Sequence, residues 1–220
     1  MDKKITCYLD CTSPYSYHAF SYLQKNAAAL ADLGVEVEFT PVFLGGINVG
    51  SGNKPPWTLP AKAEYAKYDG KRAQEYFGNQ FEVPPWFPIL SLLPQRALTY
   101  VKKSTPKSDY EAAYLACLET MWKRQLDISK PEHLATALRR VFLEGKVQEI
   151  LTEASNPKIK AELTAVTEKV VKEQGAFGCP WFWVKNAQGQ EEPFFGSDRF
   201  HYMWRYLGLP FEDIKLKSRI

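Results

Sequence analysis

Ser13 and Ser16 are the residues of this chain whose type and spacing first suggest chemistry. They lie in "YLDCTSPYSYHAF", Tyr8 to Phe20, where an apolar run stops, a Ser-Pro pair follows and an amphipathic helical pattern begins. A redox corner would carry Cys-x-x-Cys here, and both places hold hydroxyls instead. Ser13 before Pro14 reads as an N-cap followed by proline at the first helical position, where the missing N–H costs nothing. Taken alone, that is an ordinary cap. A serine nucleophile needs a base within hydrogen-bond reach. The nearest histidine, His18, is five residues on, which a helix turns about 140° away from the first turn. No G-x-S-x-G surrounds Ser13, and the sequence fixes no place for His133 or His201. Hydrolase chemistry is a poor fit, and donation remains. A hydroxyl at a helix N-terminus, where free N–H groups and the dipole favour negative charge, can hydrogen-bond an anion that a substrate brings, such as a thiolate. Bringing a thiol from about 8.5 to about 6.5 requires roughly 2.7 kcal/mol of preference for the charged form. A charge-assisted hydrogen bond supplies about 1.5–3 kcal/mol and the helix terminus about 0.3–2. The two suffice without a catalytic base.

The elements that position this corner follow from pattern. Residues 4–9 read as a strand, Pro14 to about Leu33 as a helix closed by Gly34, and "VEVEFTPVF" as a half-buried strand, giving a β-α-β opening. Gly45 to Pro60, dense in Gly, Pro and Asn, reads as a long functional loop. From Ala61 to about Gln174 the pattern is helical, with breaks at "VPPWFPI" and around Pro106, Pro131 and Pro157; "DYEAAYLACLETMWKRQLDI" reads as an amphipathic helix. A strand at Trp181–Val184, a turn at Gln188-Gly189, a strand ending at Phe195 and a helix opened by Ser197-Asp198 make a β-β-α ending. The order implies an α/β fold in which the two chain ends form one small mixed sheet and the middle forms a helical insertion. The expected boundaries are 1–60 plus 175–220 for the sheet domain and 61–174 for the insertion.

Composition narrows the partners. The chain has 220 residues, 45% hydrophobic and 14% aromatic, with a net charge of +3 and no basic run interleaved with aromatics, so a nucleic-acid track is not expected. No apolar run approaches the roughly 18 residues of a membrane span, and "MDKKITCYLD" carries neither a signal-peptide core nor a transit pattern. The four cysteines, Cys7, Cys11, Cys117 and Cys179, show neither Cys-x-x-Cys nor zinc spacing. Cys7 and Cys11 on one strand would lie roughly 13 Å apart, too far to bridge. A reducing, intracellular setting without a metal is expected. Ser218-Arg219-Ile220 keeps the small-basic-aliphatic order of a peroxisomal tripeptide.

Four motifs, "SPYS" at the corner, "SGNKPP" at Ser51–Pro56, "GAFGCP" at Gly175–Pro180 and "FFGSDR" at Phe194–Arg199, occur in an order that resembles kappa-class glutathione transferases. The wider superfamily is that of DsbA-like thioredoxin folds, which includes glutathione-dependent isomerases of hydroxychromene carboxylates. The resemblance implies a thioredoxin-like fold, βαβ…ββα, with an all-helical DsbA-like insertion. It implies that Ser13 is catalytic, holding the glutathione sulfur as thiolate, with Pro14 and Tyr15 lining the same elbow. Asn53 would bond the tripeptide and Lys62 its glycyl carboxylate. Cys179-Pro180 would be a cis pair opposite the elbow, the Cys179 backbone meeting the cysteinyl amide. Ser197 and Asp198 would hold the γ-glutamyl end. Cys179 stands where the family usually has an aliphatic side chain, and Cys11 is two residues before Ser13, so both thiols are expected near the bound sulfur.

The implied activity is conjugation of glutathione to small hydrophobic electrophiles, with peroxide reduction as a side activity and Trp57, Trp86 and Phe87 roofing the electrophile. Glutathione would be a co-substrate, with no permanently bound cofactor and no metal. A homodimer is expected, in the peroxisome or mitochondrion, with the cytosol as the alternative. Two rivals stand beside this reading: a 2-hydroxychromene-2-carboxylate isomerase sharing the elbow, and a non-catalytic thioredoxin-fold adaptor.

Overall fold

The first strand, β1 (Lys3–Leu9), is buried on both faces at its C-terminal end. Ile5, Cys7 and Leu9 point into one core cluster and Tyr8 into another. Such a strand is central, with layers on either side. In the computed structural model, which describes residues 3–212, that is its position. It pairs in parallel with β2 (Val35–Pro41), Cys7 opposite Phe39, and antiparallel with β3 (Trp181–Lys185), Cys7 opposite Phe182. The hairpin partner β4 (Glu191–Phe195) completes the order β2-β1-β3-β4. The Ser218-Arg219-Ile220 tripeptide lies outside the described residues.

The helix expected over 14–33 is two: α1 (Pro14–Lys25) and α2 (Ala27–Asp32). Asn26 breaks the run: its backbone leaves helical geometry at φ −100° and ψ 7°, and its side-chain Nδ2 turns back to the Tyr22 carbonyl. Gly34, at φ +71°, ends α2 in the left-handed conformation that a side chain would resist.

The loop expected over Gly45–Pro60 is largely not a loop. Leu44–Ser51 forms α3, and Pro56–Thr58 a 3₁₀ turn. The glycines serve close approach. A Cβ on Gly45 would sit 2.5 Å from the Phe43 ring, one on Gly46 3.0 Å from Thr167, and one on Gly50 3.2 Å from Val171. Thr167 and Val171 belong to α9 (Pro157–Gln174), so bare backbone lets α3 lie directly on that helix.

Between them run α4 (Pro60–Phe77), α5 (Leu92–Ser104), α6 (Lys107–Trp122), α7 (Pro131–Leu138) and α8 (Glu144–Glu153). The four expected breaks all occur. A fifth, at 139–143, separates α7 from α8 without proline or glycine to announce it. The helix read as amphipathic stops at Trp122, before Gln125 at φ +54°, and is buried around most of its girth, from Tyr110 through Tyr114, Cys117 and Leu118 to Trp122. It runs through the main core, where its side chains share one cluster with Ile5, Phe39 and Phe182 of the sheet. The last helix, α10 (Phe200–Tyr206), begins three residues later than Ser197-Asp198 suggested; those two form the turn that precedes it. Among the described residues no helix is long and apolar enough to cross a membrane, and no group of three or more His, Cys, Asp or Glu could hold a metal ion. All four cysteines are buried and free.

Candidate active site

The elbow between β1 and α1 is built by side chains acting on backbone. Ser13 caps α1, its Oγ accepting the Ser16 N–H at 3.1 Å, while its own N–H donates to the Asp10 carbonyl at 3.0 Å. The hydroxyl proton goes to the Cys179 carbonyl, also at 3.1 Å. Thus the first and third of the four sequence motifs are joined by one bond across 166 residues. Cys179-Pro180 is a cis peptide, as the resemblance implied.

The other motifs close on the same point. Asn53 Nδ2 donates to the Phe177 carbonyl at 2.6 Å, tying the "SGNKPP" segment to the cis-proline loop. The Gly196 N–H donates to the Pro180 carbonyl at 3.1 Å, which sets Ser197, buried, beside the cis pair. Gly196 is left-handed at φ +87°, and a Cβ there would meet the Asp198 carboxylate 2.7 Å away, so a bare residue is required. Asp198 is exposed and pairs with Arg199. Tyr15 and Pro14 are half-buried on the elbow; the Tyr15 hydroxyl donates to Asp69 of α4 at 3.2 Å, and burial followed by the Asp69 charge pushes it up to about 12. Lys62 is exposed on the first turn of α4.

Residues not singled out from the sequence hold this arrangement. Gln95 of α5 donates through Nε2 to the Leu9 carbonyl (2.8 Å) and the Val42 carbonyl (2.7 Å), while its Oε1 accepts the Cys11 N–H at 3.2 Å. Trp122 Nε1 donates to the Cys11 carbonyl at 2.9 Å, and the Tyr114 hydroxyl to that of Leu9 at 2.8 Å. Asp10, fully buried, accepts from Thr12 N–H, Leu44 N–H and the Ser91 hydroxyl. The one sequence signal for it was an acid ending an apolar strand.

Neither nearby thiol is activated. Burial pushes Cys179 and Cys11 well above the ordinary thiol range, and Asp10 adds to this. Cys11 packs into the main core, whereas Cys179 lines a cavity of about 990 Å³. That cavity also touches Tyr15, Ser197 and Asp198, but not Ser13, Pro14, Asn53, Lys62 or Pro180. Its aromatic wall is Tyr22, Tyr76, Phe77, Phe200 and Trp204. Trp57, Trp86 and Phe87 lie elsewhere: Phe87 packs between Trp57, edge to face, and the core Trp122, and Trp86 also packs on the main core. His18 is a structural histidine, stacked on Phe77 and Phe81, and burial lowers it to about 4, so it stays neutral.

The DSBA-like thioredoxin domain family matches residues 4–208. The chain is 32% identical over 213 residues to glutathione S-transferase kappa 1 of Caenorhabditis elegans, covering 94% of this chain and 92% of that protein. It is 29% identical to glutathione S-transferase kappa 1 of Homo sapiens over 214 residues, with the same coverage of each. Among solved structures, a 2-hydroxychromene-2-carboxylate isomerase superposes with a TM-score of 0.72 at 20% identity, over 93% of this chain and 94% of that one.

Proposed function

This chain belongs to the DsbA-like thioredoxin family and, within it, to the kappa-class glutathione transferases, and from that premise we propose that it binds glutathione as a co-substrate and transfers it to small hydrophobic electrophiles. The observation that carries the reading is the Ser13 hydroxyl, held at the start of a capped helix and bonded to the carbonyl of a residue that precedes a cis proline. No resident cofactor is part of the proposal.

The mechanism follows from the single proton on that hydroxyl. It points at the Cys179 carbonyl, and it cannot also serve a sulfur. In the proposed complex the cysteinyl N–H of glutathione donates to the Cys179 carbonyl in its place, which frees the Ser13 proton for the thiolate. The exchange trades a neutral bond worth about 0.5–1.5 kcal/mol for a charge-assisted one worth about 1.5–3. Proline at the first position of α1 has no N–H, and Ser13 takes that of Ser16, so the Tyr15 N–H is the remaining first-turn donor. The thiol then gives its proton to solvent on binding, and the thiolate attacks the electrophile.

The remaining assignments complete the tripeptide. Asn53, next to the cis-proline loop, and Lys62 take the glycyl end; Ser197 and Asp198 take the γ-glutamyl carboxylate and amine; Pro14, Tyr15 and Pro180 line the middle. Residues 1–60 with 175–220 supply the tripeptide contacts other than that of Lys62, and the helical unit 61–174, which carries Lys62, buttresses them. Peroxide reduction by the same thiolate, a homodimeric assembly, and residence in a reducing compartment such as the peroxisome or mitochondrion belong to the same proposal.

The test is turnover of glutathione with an activated aryl halide, run beside isomerisation of a 2-hydroxychromene-2-carboxylate. Conjugation without isomerisation is expected. Isomerisation alone would replace the reading by its nearest rival, and binding without either reaction would favour an adaptor.

A further inference from the structure

Asp10 is a buried acid that the transferase reading leaves unused. It follows β1 directly, three residues before Ser13, and is fully buried. Oδ1 accepts the Thr12 N–H at 2.9 Å; Oδ2 accepts the Leu44 N–H, at the start of α3, and the Ser91 hydroxyl, just before α5, both at 2.7 Å. All three donors are neutral. Its backbone carbonyl accepts the Ser13 N–H. One residue thus joins the elbow, α3 and α5, three residues before Ser13.

A carboxylate placed out of water without a cation is costly, and acids perturbed in this way cluster at functional sites. Here burial pushes Asp10 up to about 6, although its three hydrogen bonds pull the other way. The titratable groups it acts on are the Cys11 thiol on the elbow, the Tyr114 hydroxyl on α6 and the Cys179 thiol before β3, and its charge pushes each of them up. Toward α3 and α5 it meets only the Leu44 N–H and the Ser91 hydroxyl. Its field therefore reaches the cis-proline wall, where the Ser13 hydroxyl is bonded.

We propose that Asp10 is a positioning residue of the thiolate site: its carboxylate gathers elbow, α3 and α5 into one junction, and its charge opposes that of the bound sulfur across the turn. The proposal rests on the glutathione reading above. When the S–H bond breaks, the electron pair stays on sulfur and the proton goes to water. A fraction of Asp10 carboxylates takes a proton from water in response, so net release per glutathione bound is less than one proton near neutrality. The two acids titrate as a coupled pair.

Carboxyl-carbon NMR of aspartate-labelled protein, with Asp10 assigned through Asp10→Asn, tests this. Titrations are run free, with glutathione, and with S-methylglutathione, whose sulfur cannot ionise. The Asp10 midpoint should rise by about one pH unit with glutathione and stay put with the methylated ligand, the shift expected when a like charge arrives nearby. In Asp10→Asn, thiolate absorbance of bound glutathione should appear about one pH unit lower than in the parent. A residue that only braces the elbow predicts equal Asp10 midpoints with both ligands, and a thiolate midpoint unchanged or raised in the variant; either overturns the inference. Should Asp10→Asn not fold, the loss of one aspartate signal in Asp10→Glu makes the assignment and the ligand comparison decides. Binding of neither ligand would overturn the transferase reading and this inference with it. Binding of both with equal midpoints would overturn this inference alone.

Discussion

The two ends of the proposed glutathione site are built in opposite ways. At the sulfur end, Ser13 and Cys179 are buried, and Gln95, Tyr114 and Trp122 reach from two insertion helices to fix the backbone on which Ser13 stands. At the carboxylate ends, Asn53, Lys62 and Asp198 are exposed, and α4 has no buried residue along its 18 positions. The difference teaches where each kind of energy is available. A hydroxyl favours a thiolate most strongly where it is held fast in a place of low dielectric. Recognition of a carboxylate by a lysine needs only a charge near solvent, and gains little from rigidity.

That contrast can be broken most severely at Gln95. In Gln95→Leu the Val42 carbonyl and the Cys11 N–H lose their partners inside the core, at about 1–3 kcal/mol per orphaned group. An unfolding free energy lowered by a total of about 3–4 kcal/mol is expected by urea titration. A loss below about 1 kcal/mol would mean that the elbow is not held from the insertion.

His18 sharpens the same point, since it is buried beside the elbow without serving it. Its value in the fold is lowered from 6.5 to about 4, so its contribution is present above 6.5 and is lost as pH falls toward 4. Asp10 has the opposite sign: raised from 3.8 to about 6, it contributes stability that is full below 3.8 and lost as pH rises through 6. Each shift is worth about 3 kcal/mol at most. The wild-type chain should therefore show a shallow pH dependence between 4 and 6, where the two offset. His18→Phe should grow more stable from pH 7 to pH 5, by denaturant titration. An unchanged profile would contradict the buried, neutral assignment.

Smaller effects are expected on the exposed side. A Cβ on Gly70, within α4, would meet no atom within 4 Å, so Gly70→Ala should stabilise the chain by about 0.5–1 kcal/mol through helix propensity alone. A thermal midpoint that falls instead would show that the Gly70 face of α4 is packed against something. Lys62→Gln should raise the KM for glutathione about two- to five-fold with kcat unchanged, and the difference should fade in high salt. A salt-independent loss of kcat would place Lys62 in the chemistry.

Much of this division was legible in the sequence and some was not. Ser13-Pro14 announced its helix because a cap and a first-turn proline are local chemistry, and the breaks at Pro106, Pro131 and Pro157 appeared for the same reason. The stretch from Gly45 was misread because glycine signals both loops and close helix contacts. Only the presence of Thr167 and Val171, more than a hundred residues away, decides between them. The burial of α6 was hidden in the same way: its tyrosines, cysteine and threonine look like a polar stripe until the sheet is beside them. The motif residues of the elbow could be read, but Asp10, Ser91 and Gln95, which hold it, could not, because their roles are bonds spanning 34 to 86 residues.

The central claim is that the Ser13 hydroxyl holds glutathione as a thiolate, and thiolate absorbance of the bound tripeptide, titrated from acid to neutral pH, reads it directly. With wild-type protein the midpoint should lie about two pH units below that of free thiol, and in Ser13→Ala it should return most of the way, to about 8–8.5, while affinity for glutathione largely survives. The same midpoint in both proteins would contradict the account.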